Sequence, residues 1–390
     1  MDAKENNCLR FLSWCLLPDE ERKAESIADV VGKIDWEELK AFGEKQAVLG
    51  IMAHTLVSDS EKLMTLDEFR NNLPPEMMIM DLATTDQMMA RRNVTTNKYC
   101  VKATQFFLND FDKKSYRTCI LKGQGNTLLY PYAMSRTTGD IDIWVDGPRW
   151  DVFRLVRKRF PKAEFKCQHI EFPLWKNMPV EVHFYPMYLE CPWHNIVLHR
   201  FFKKQMEKQF NHKVSLQGAT GEVAIPTPFF NAVYQLTHIN VHVLIEGIGL
   251  RQFIDYYYVL RHLDKERHAE VCRWLKRMGL MHLAQAVMYI EHNVLGLPQE
   301  YLYTKPDERR GKRLFREVEI GGNFGKSDTR MGHIGEGFVH RQIRKLIRNS
   351  RFISDYPSEE LSEPFFRIGH WLWRQWYQAK WLFWRKYHNQ

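Results

Sequence analysis

The stretch Leu121-Lys122-Gly123-Gln124-Gly125-Asn126, followed by Arg136 and then by Gly139-Asp140-Ile141-Asp142-Ile143-Trp144-Val145, decides how this chain reads. Alternate side chains of a strand share a face. Ile141, Ile143 and Val145 therefore point to a core, and Asp140 and Asp142 point together the other way. Two adjacent carboxylates repel each other and are costly to keep unless a cation sits between them. Hard divalent ions such as Mg²⁺ take oxygen ligands of this kind.

A third acid follows the same pattern. In Pro179-Val180-Glu181-Val182-His183-Phe184, the two valines alternate with Glu181 and His183. If this strand lies beside the Asp strand, Glu181 joins Asp140 and Asp142 on one face. Three carboxylates can hold two Mg²⁺ ions for in-line phosphoryl chemistry, with Mn²⁺ as a substitute. The Lys122-Gly123 turn ends a predicted strand (118–122) and opens a short helix (125–130), where backbone N–H groups bind phosphate. Arg136 can clamp triphosphate oxygens. A lone D-x-D arises often by chance, and a Lys-Gly turn more often still. The ordered set of Lys-Gly, Arg, Asp-x-Asp and a later Glu strand is far more specific.

That set resembles the nucleotidyltransferase fold of the DNA polymerase β superfamily. Within it the sequence resembles a bacterial family described only as uncharacterised nucleotidyltransferases. It is similar, more distantly, to the abortive-infection nucleotidyltransferase toxins. The resemblance takes in residues 122–145, His169, the Glu181-Val182-His183 strand, His238 and the run Gly249-Leu250-Arg251-Gln252-Phe253-Ile254-Asp255. It implies that Asp140, Asp142 and Glu181 are catalytic metal ligands and that Lys122, Gly123, Gln124 and Arg136 face the nucleotide phosphates. It also brings His169, His183, His238, Arg251 and Asp255 to the nucleotide. The superfamily usually has Gly or Ser where this chain has Gln124.

The weaker signals have plain structural readings too. A strand histidine such as His169 or His183 more often serves a structural hydrogen bond than catalysis, though beside carboxylates it can act as a base or phosphate contact. His238 and His242 share a helix face at i, i+4, but Ile239 stands where a zinc protease needs Glu. Arg251 and Asp255, also i, i+4, read equally as an intrahelical ion pair of little worth.

Around this core the chain is helical. Apolar spacing predicts a helix over 36–57, and Pro74-Pro75 opens a long one reaching about residue 110, whose Met77, Met78, Met80, Met88 and Met89 read as core filler. Strands and helices interleave over 116–185, with a helix at 148–160 and two or three strands over 164–185. Helices return over 227–245, 250–263 and 269–295. Four regions follow: an N-terminal helical region (1–115), a nucleotidyltransferase α/β core (116–225), a helical domain closing the cleft (226–300) and a basic, Trp-rich C-terminal region (301–390). The fold class is α+β, a small mixed sheet flanked by helical segments.

The C-terminal region reads as less regular. Six glycines in 321–337 suggest a loop, and Arg341, Arg344, Lys345, Arg348 and Arg351 a basic helical stretch. Trp371, Trp373, Trp376, Trp381 and Trp384 alternate with Arg367, Arg374, Lys380, Arg385 and Lys386. Such a tail buries its rings on the core, lies on an anionic membrane surface, or binds nucleic acid by stacking and charge. The first reading is favoured.

Composition bounds the rest. With 390 residues, 44% apolar and 26% charged, the chain has ample material for a core, which excludes disorder as its main state. Its net charge of +9 suits a polyanionic partner. Seven cysteines without a CxxC pair argue against a disulfide framework or zinc ribbon and for reduced thiols. The apolar patch at 9–17 contains Arg10 and lacks a small-residue cleavage site, so a cytoplasmic protein is expected.

The leading expectation is a Mg²⁺-dependent nucleotidyltransferase that passes a nucleoside monophosphate from a triphosphate such as ATP to an acceptor hydroxyl. Glu181 or Asp142 helps to deprotonate that acceptor, which is a protein, tRNA, sugar or small molecule. The alternatives are a D-x-D glycosyltransferase using a nucleotide sugar and a non-catalytic nucleotide-binding module. The short spacing between the Lys-Gly turn and the D-x-D argues against the first. The intact carboxylates argue against the second.

Overall fold

Four strands form the sheet that carries the Asp pair: β1 (Thr118–Leu121), β2 (Ile141–Val145), β3 (His169–Glu171) and β4 (Val180–His183). Their order in the computed structural model is β1-β2-β4-β3, with β2 and β4 parallel and both outer pairs antiparallel. The parallel step needs a crossover, which includes the helix Arg149–Arg159. The structure describes residues 6–109, 115–245, 247–325, 327, 330 and 351–388. Arg341, Arg344, Lys345, Arg348 and most of the glycine-rich stretch lie outside them.

Both faces of the sheet are covered, and the strand sequences show why. Ile120, Ile141, Ile143, Val145, Val180 and Val182 share one core with Val152, Phe153 and Phe172. On the opposite face Cys119, Leu121 and Trp144 join a second core with Phe202, Phe210 and Phe230. Ile141, Ile143 and Val145 thus point inward as their alternation predicts. Asp142 and Glu181 interrupt the second face, paired across the parallel strands. A short hairpin, β5 (Lys213–Ser215) with β6 (Glu222–Ala224), sits near β1. The architecture is α+β.

The N-terminal region is helical. The single helix expected over 36–57 is two, Trp36–Lys45 and Leu49–Ser58, because Ala47 takes a positive φ of 57° between them. The Asp35 carboxylate accepts from the N–H groups of Glu37 and Glu38 and caps the first. The long helix opens after Pro75 and runs Glu76–Leu108. Its methionines are not the core filler expected. Met78 is buried, but Met77, Met80 and Met88 are exposed, since they point away from the helices it packs on.

After the sheet come Pro228–Ile245, Leu250–Arg261, His268–Arg277 and Met281–Tyr289. The one helix expected over 269–295 breaks at Gly279, whose φ of 69° ends the first segment. The C-terminal region is more regular than its sequence suggests. It holds the helix Glu308–Gly321 and a 32-residue helix, Pro357–His388, that accommodates Pro364. Tyr377 and Trp381 of that helix are buried in the sheet core, and Trp373 and Trp384 pack against it. Docking of the tail by its rings is therefore observed on one face, while Trp371 and Trp376 stay exposed.

Candidate active site

Three carboxylates converge where the second face of the sheet meets the helix Pro228–Ile245. Asp140 lies one residue before β2, Asp142 on β2 and Glu181 beside it on β4. One oxygen from each lies within 4.8 Å of the others. The parallel register brings this about, because it sets Asp142 directly against Glu181. The histidines of β3 and β4 stand next in the same face, with His169 opposite His183.

Basic side chains already crowd the carboxylates. Lys122 Nζ lies 3.1 Å from Asp142 Oδ2 and 2.7 Å from His238 Nε2. His183 Nε2 lies 2.8 Å from Asp142 Oδ1 and 3.5 Å from Glu181 Oε2. His169 Nδ1 lies 2.7 Å from Glu181 Oε2. The ionisation follows from these contacts. The Asp142 charge, and then burial, raise the Asp140 carboxyl above its ordinary range. Burial would raise Glu181 too, but hydrogen bonds from His169 and His183 hold it well below. Burial would lower His183, yet its bonds to Asp142 and Glu181 lift it to about 9. Lys122 is likewise raised, its burial outweighed by Asp142, Asp140 and Glu181. His238 goes the other way. Burial first, then the nearby Lys122 charge, push it well below 6.5, so it is neutral and offers Nε2 to Lys122 as an acceptor. His242 Nε2 stands 3.0 Å from the same nitrogen.

Lys122 and Gly123 make the turn that aims this lysine. Both take positive φ, 29° and 54°. For Lys122 that is a strained conformation, of the kind that persists at functional sites when the surroundings hold it.

The cleft has two arms that share Lys122, Asp140, Asp142 and His238. The narrow arm, with about 30 Å³ of open space, adds Gly123, Arg136, Arg251 and Asp255. The wide arm, with about 380 Å³, adds His169, Glu181 and His183. It continues past Lys166, Tyr188 and Glu190 to Phe366, Arg367 and His370 of the C-terminal helix. Eleven of the twelve site residues expected from sequence therefore line one cleft.

Gln124 does not line it. Its side chain is buried and its Nε2 donates to Asn93 Oδ1 at 3.2 Å and Asn97 Oδ1 at 2.7 Å. It tethers the turn to the long helix instead of reaching for phosphate. Arg136 lines the narrow arm, but as half of a buried ion pair. Its Nε and Nη2 each bond to Asp255 at 2.7 Å, and Nη1 bonds to Thr137 O. Tyr130 Oη adds a third bond to Asp255. Asp255 thus answers Arg136 across the cleft, and the expected pairing with Arg251 on its own helix gives way to it. Arg251 Nη1 approaches Thr137 O at 3.4 Å, beside the same arm.

Asn93 and Tyr130 were not expected here, and His242, weighed only as the second choice to His238, lines the wide arm beside it. Asn93 Nδ2 donates to Met134 O and Arg136 O at 2.8 Å, fixing the loop that precedes the Asp strand. Asn93 is fully buried in the long helix, and a lone Asn in a helical stretch does not by itself reveal that burial. The tryptophans and basic residues of the C-terminal helix marked that segment, but nothing local showed that it walls the wide arm.

The donor set fits hard divalent cations. It consists of three carboxylates at neighbouring strands, one of them raised by its neighbour's charge, which together offer a cation oxygen ligands. A second trio within the same distance, His169, Glu181 and His183, offers imidazole nitrogens, which suit ions such as Zn²⁺ or Fe²⁺ better than Mg²⁺.

The sequence profile of the family described as "Uncharacterised nucleotidyltransferase" matches residues 32–296, well over half of the chain. The chain belongs to that family and is a nucleotidyltransferase, with a nucleoside triphosphate as substrate. Nucleotidyltransferases generally work with divalent metal ions. None of the curated proteins and none of the solved structures compared matches the chain, and nothing further supports the likeness to the toxins. The match ends before the helices Glu308–Gly321 and Pro357–His388.

Proposed function

We propose that this member of the uncharacterised nucleotidyltransferase family transfers a nucleoside monophosphate from a triphosphate to an acceptor hydroxyl in a Mg²⁺-dependent reaction. The observation that carries the reading is the convergence of Asp140, Asp142 and Glu181 at the junction of the two arms. These three residues would hold two Mg²⁺ ions. Bound there, the ions would supply charge stabilisation to an in-line displacement at the α-phosphate.

The volumes of the arms divide the substrate. The narrow arm is the tighter of the two and is lined by Lys122, Arg136 and Arg251, so it takes phosphate. Lys122 and Arg251 give that arm its positive charge, and the Lys122-Gly123 turn brings backbone N–H groups to it. Arg136, held by Asp255, shapes the wall and adds its field from behind. The nucleoside and the acceptor share the wide arm, where the Tyr188 and Phe366 rings stack 4.8 Å apart. Glu181 or Asp142 accepts the acceptor proton as the new O–P bond forms and pyrophosphate leaves. His183, protonated between those two acids, orients them. In the proposed four-part division the cleft lies between 116–225 and 226–300, with 301–390 closing the wide arm.

A thermal-shift screen of ATP, GTP, CTP and UTP, with and without Mg²⁺, tests the reading. Ligand that binds only the folded chain raises Tm by mass action. A Mg²⁺-dependent rise with an NTP, lost in Asp140→Asn/Asp142→Asn, is expected. No rise with any NTP, or a rise that survives in the double variant, would overturn it.

A further inference from the structure

We propose that the outer face of the helix Pro357–His388 docks on an anionic lipid surface. The inner face of this helix is accounted for: Tyr377 and Trp381 are buried in the sheet core, and Phe366, Arg367 and His370 line the wide arm. The outer face carries Leu361, Phe365, Ile368, Leu372, Trp376, Phe383 and Tyr387, each more than half exposed. Their spacing is three, four or seven, which puts them on one stripe of a helix. At 1.5 Å per residue that stripe is about 40 Å long. Monomeric soluble proteins rarely leave so long an apolar row uncovered.

Charge selects the occupant. From Pro364 to His388 the helix has no acidic residue, and besides Arg367, which lines the wide arm, it has four basic ones: Arg374, Lys380, Arg385 and Lys386. Its acids, Glu359, Glu360 and Glu363, all sit at its start and are buried. A second copy of this chain would bring the same positive rim against itself with no carboxylate to answer it. A nucleic acid would use the basic rim and the exposed Trp rings, but it has no use for Leu361, Ile368 and Leu372. An anionic bilayer uses all three features. Aliphatic groups enter the acyl boundary, Trp and Tyr sit at the headgroup level, and Arg and Lys meet lipid phosphate. No helix among the described residues is long and apolar enough to cross a membrane, so the helix would lie in the surface plane.

The consequence for chemistry rests on the nucleotidyltransferase reading, but the docking does not. Since one face of the helix would meet lipid and the other walls the wide arm, the acceptor pocket would open at the bilayer surface. A headgroup or a lipid-linked hydroxyl would then be within reach of it.

Co-sedimentation of the full chain with phosphatidylcholine vesicles, with and without phosphatidylglycerol, tests the docking. The wild type is expected to pellet with the anionic vesicles and not the neutral ones, and to be released as salt is raised. Ile368→Glu/Leu372→Glu is expected to lose binding at least tenfold while keeping its Tm and its NTP-dependent thermal shift. Arg385→Gln/Lys386→Gln, which leaves the apolar stripe intact, is expected to weaken binding severalfold and flatten the salt dependence. Failure of the wild type to pellet with anionic vesicles would overturn the proposal. So would a dimer in light scattering that Ile368→Glu/Leu372→Glu breaks without any effect on lipid. The vesicle readout needs no nucleotide, so its failure and that of the enzymatic reading are separate results.

Discussion

Asp140→Asn should make the metal-free protein more stable while removing its response to metal and nucleotide. The Asp140 and Asp142 carboxylates lie within 4.8 Å. Two unit charges at that separation repel by about 3.5 kcal/mol at an effective dielectric of about 20. Lys122 sits 3.1 Å from Asp142 and attracts Asp140 as well, which offsets part of the penalty, while Glu181 adds to it. The net gain from removing the Asp140 charge is therefore about 1–2 kcal/mol. Urea unfolding in EDTA measures it. With Mg²⁺ and the best NTP present at about a hundred times their Kd, the wild type should gain about 2.7 kcal/mol and the variant close to nothing. The order of the two proteins then reverses between the two buffers. If Asp140→Asn is the less stable protein in EDTA, or gains as much as the wild type from Mg²⁺ and NTP, the carboxylates are not a strained cation site and the argument fails.

Two further outcomes follow from buried charge. Asp255→Asn leaves the Arg136 guanidinium, 6% exposed and doubly bonded to that carboxylate, without its counter-charge. Breaking such a pair should cost about 3–5 kcal/mol in urea unfolding, and a cost under about 1 kcal/mol would mean the pair is open to solvent. Burial, with Glu363, Glu359 and Glu360 nearby and only Arg367 opposing, pushes the Glu190 carboxyl up from 4.5 to about 9. The folded chain holds this proton more tightly than the unfolded one, so its contribution is full below about pH 4.5 and is lost as pH rises through 9. Glu190→Gln, which cannot titrate, should therefore gain Tm relative to wild type steadily from pH 5 to pH 9, and a difference independent of pH would refute the burial argument.

The parts of this site that sequence exposes are those whose reasons are local. Strand alternation alone sends Ile141, Ile143 and Val145 one way and Asp142 the other, and the structure agrees. The same alternation marks Glu181 and His183, but placing them beside Asp142 required β2 and β4 to be neighbours. That pairing is made across helix Arg149–Arg159 and has no local signature. Arg136 shows the limit of residue-type reasoning. An arginine before an Asp strand suits phosphate, yet its partner is Asp255, 119 positions along the chain. Gln124 fails for the same reason, since Asn93 and Asn97 face it only once the long helix crosses the turn. The C-terminal wall of the cleft is the most distant case. Its tryptophans marked the segment as special, but its glycine-rich approach and Pro364 hid a helix of 32 residues.

The charge arrangement bears on the order in which ligands bind. Lys122 and His183 each sit on an Asp142 oxygen, and His169 sits on Glu181. A divalent ion arriving alone must compete with those contacts, and Lys122 would be left among like charges with only neutral His238 as a partner. A triphosphate arriving with the ion changes that balance, because phosphate oxygens in the narrow arm give Lys122 a new anionic partner as Asp142 is released. Ion and nucleotide should therefore bind with positive coupling, each raising the apparent affinity for the other by the same factor. Lys122→Met would remove the competitor and the phosphate partner together. It should tighten Mg²⁺ binding in the absence of nucleotide and weaken NTP binding in its presence, as titration calorimetry of the two ligands, separately and together, would measure. An unchanged Mg²⁺ affinity in that variant would show that Lys122 does not guard the carboxylates.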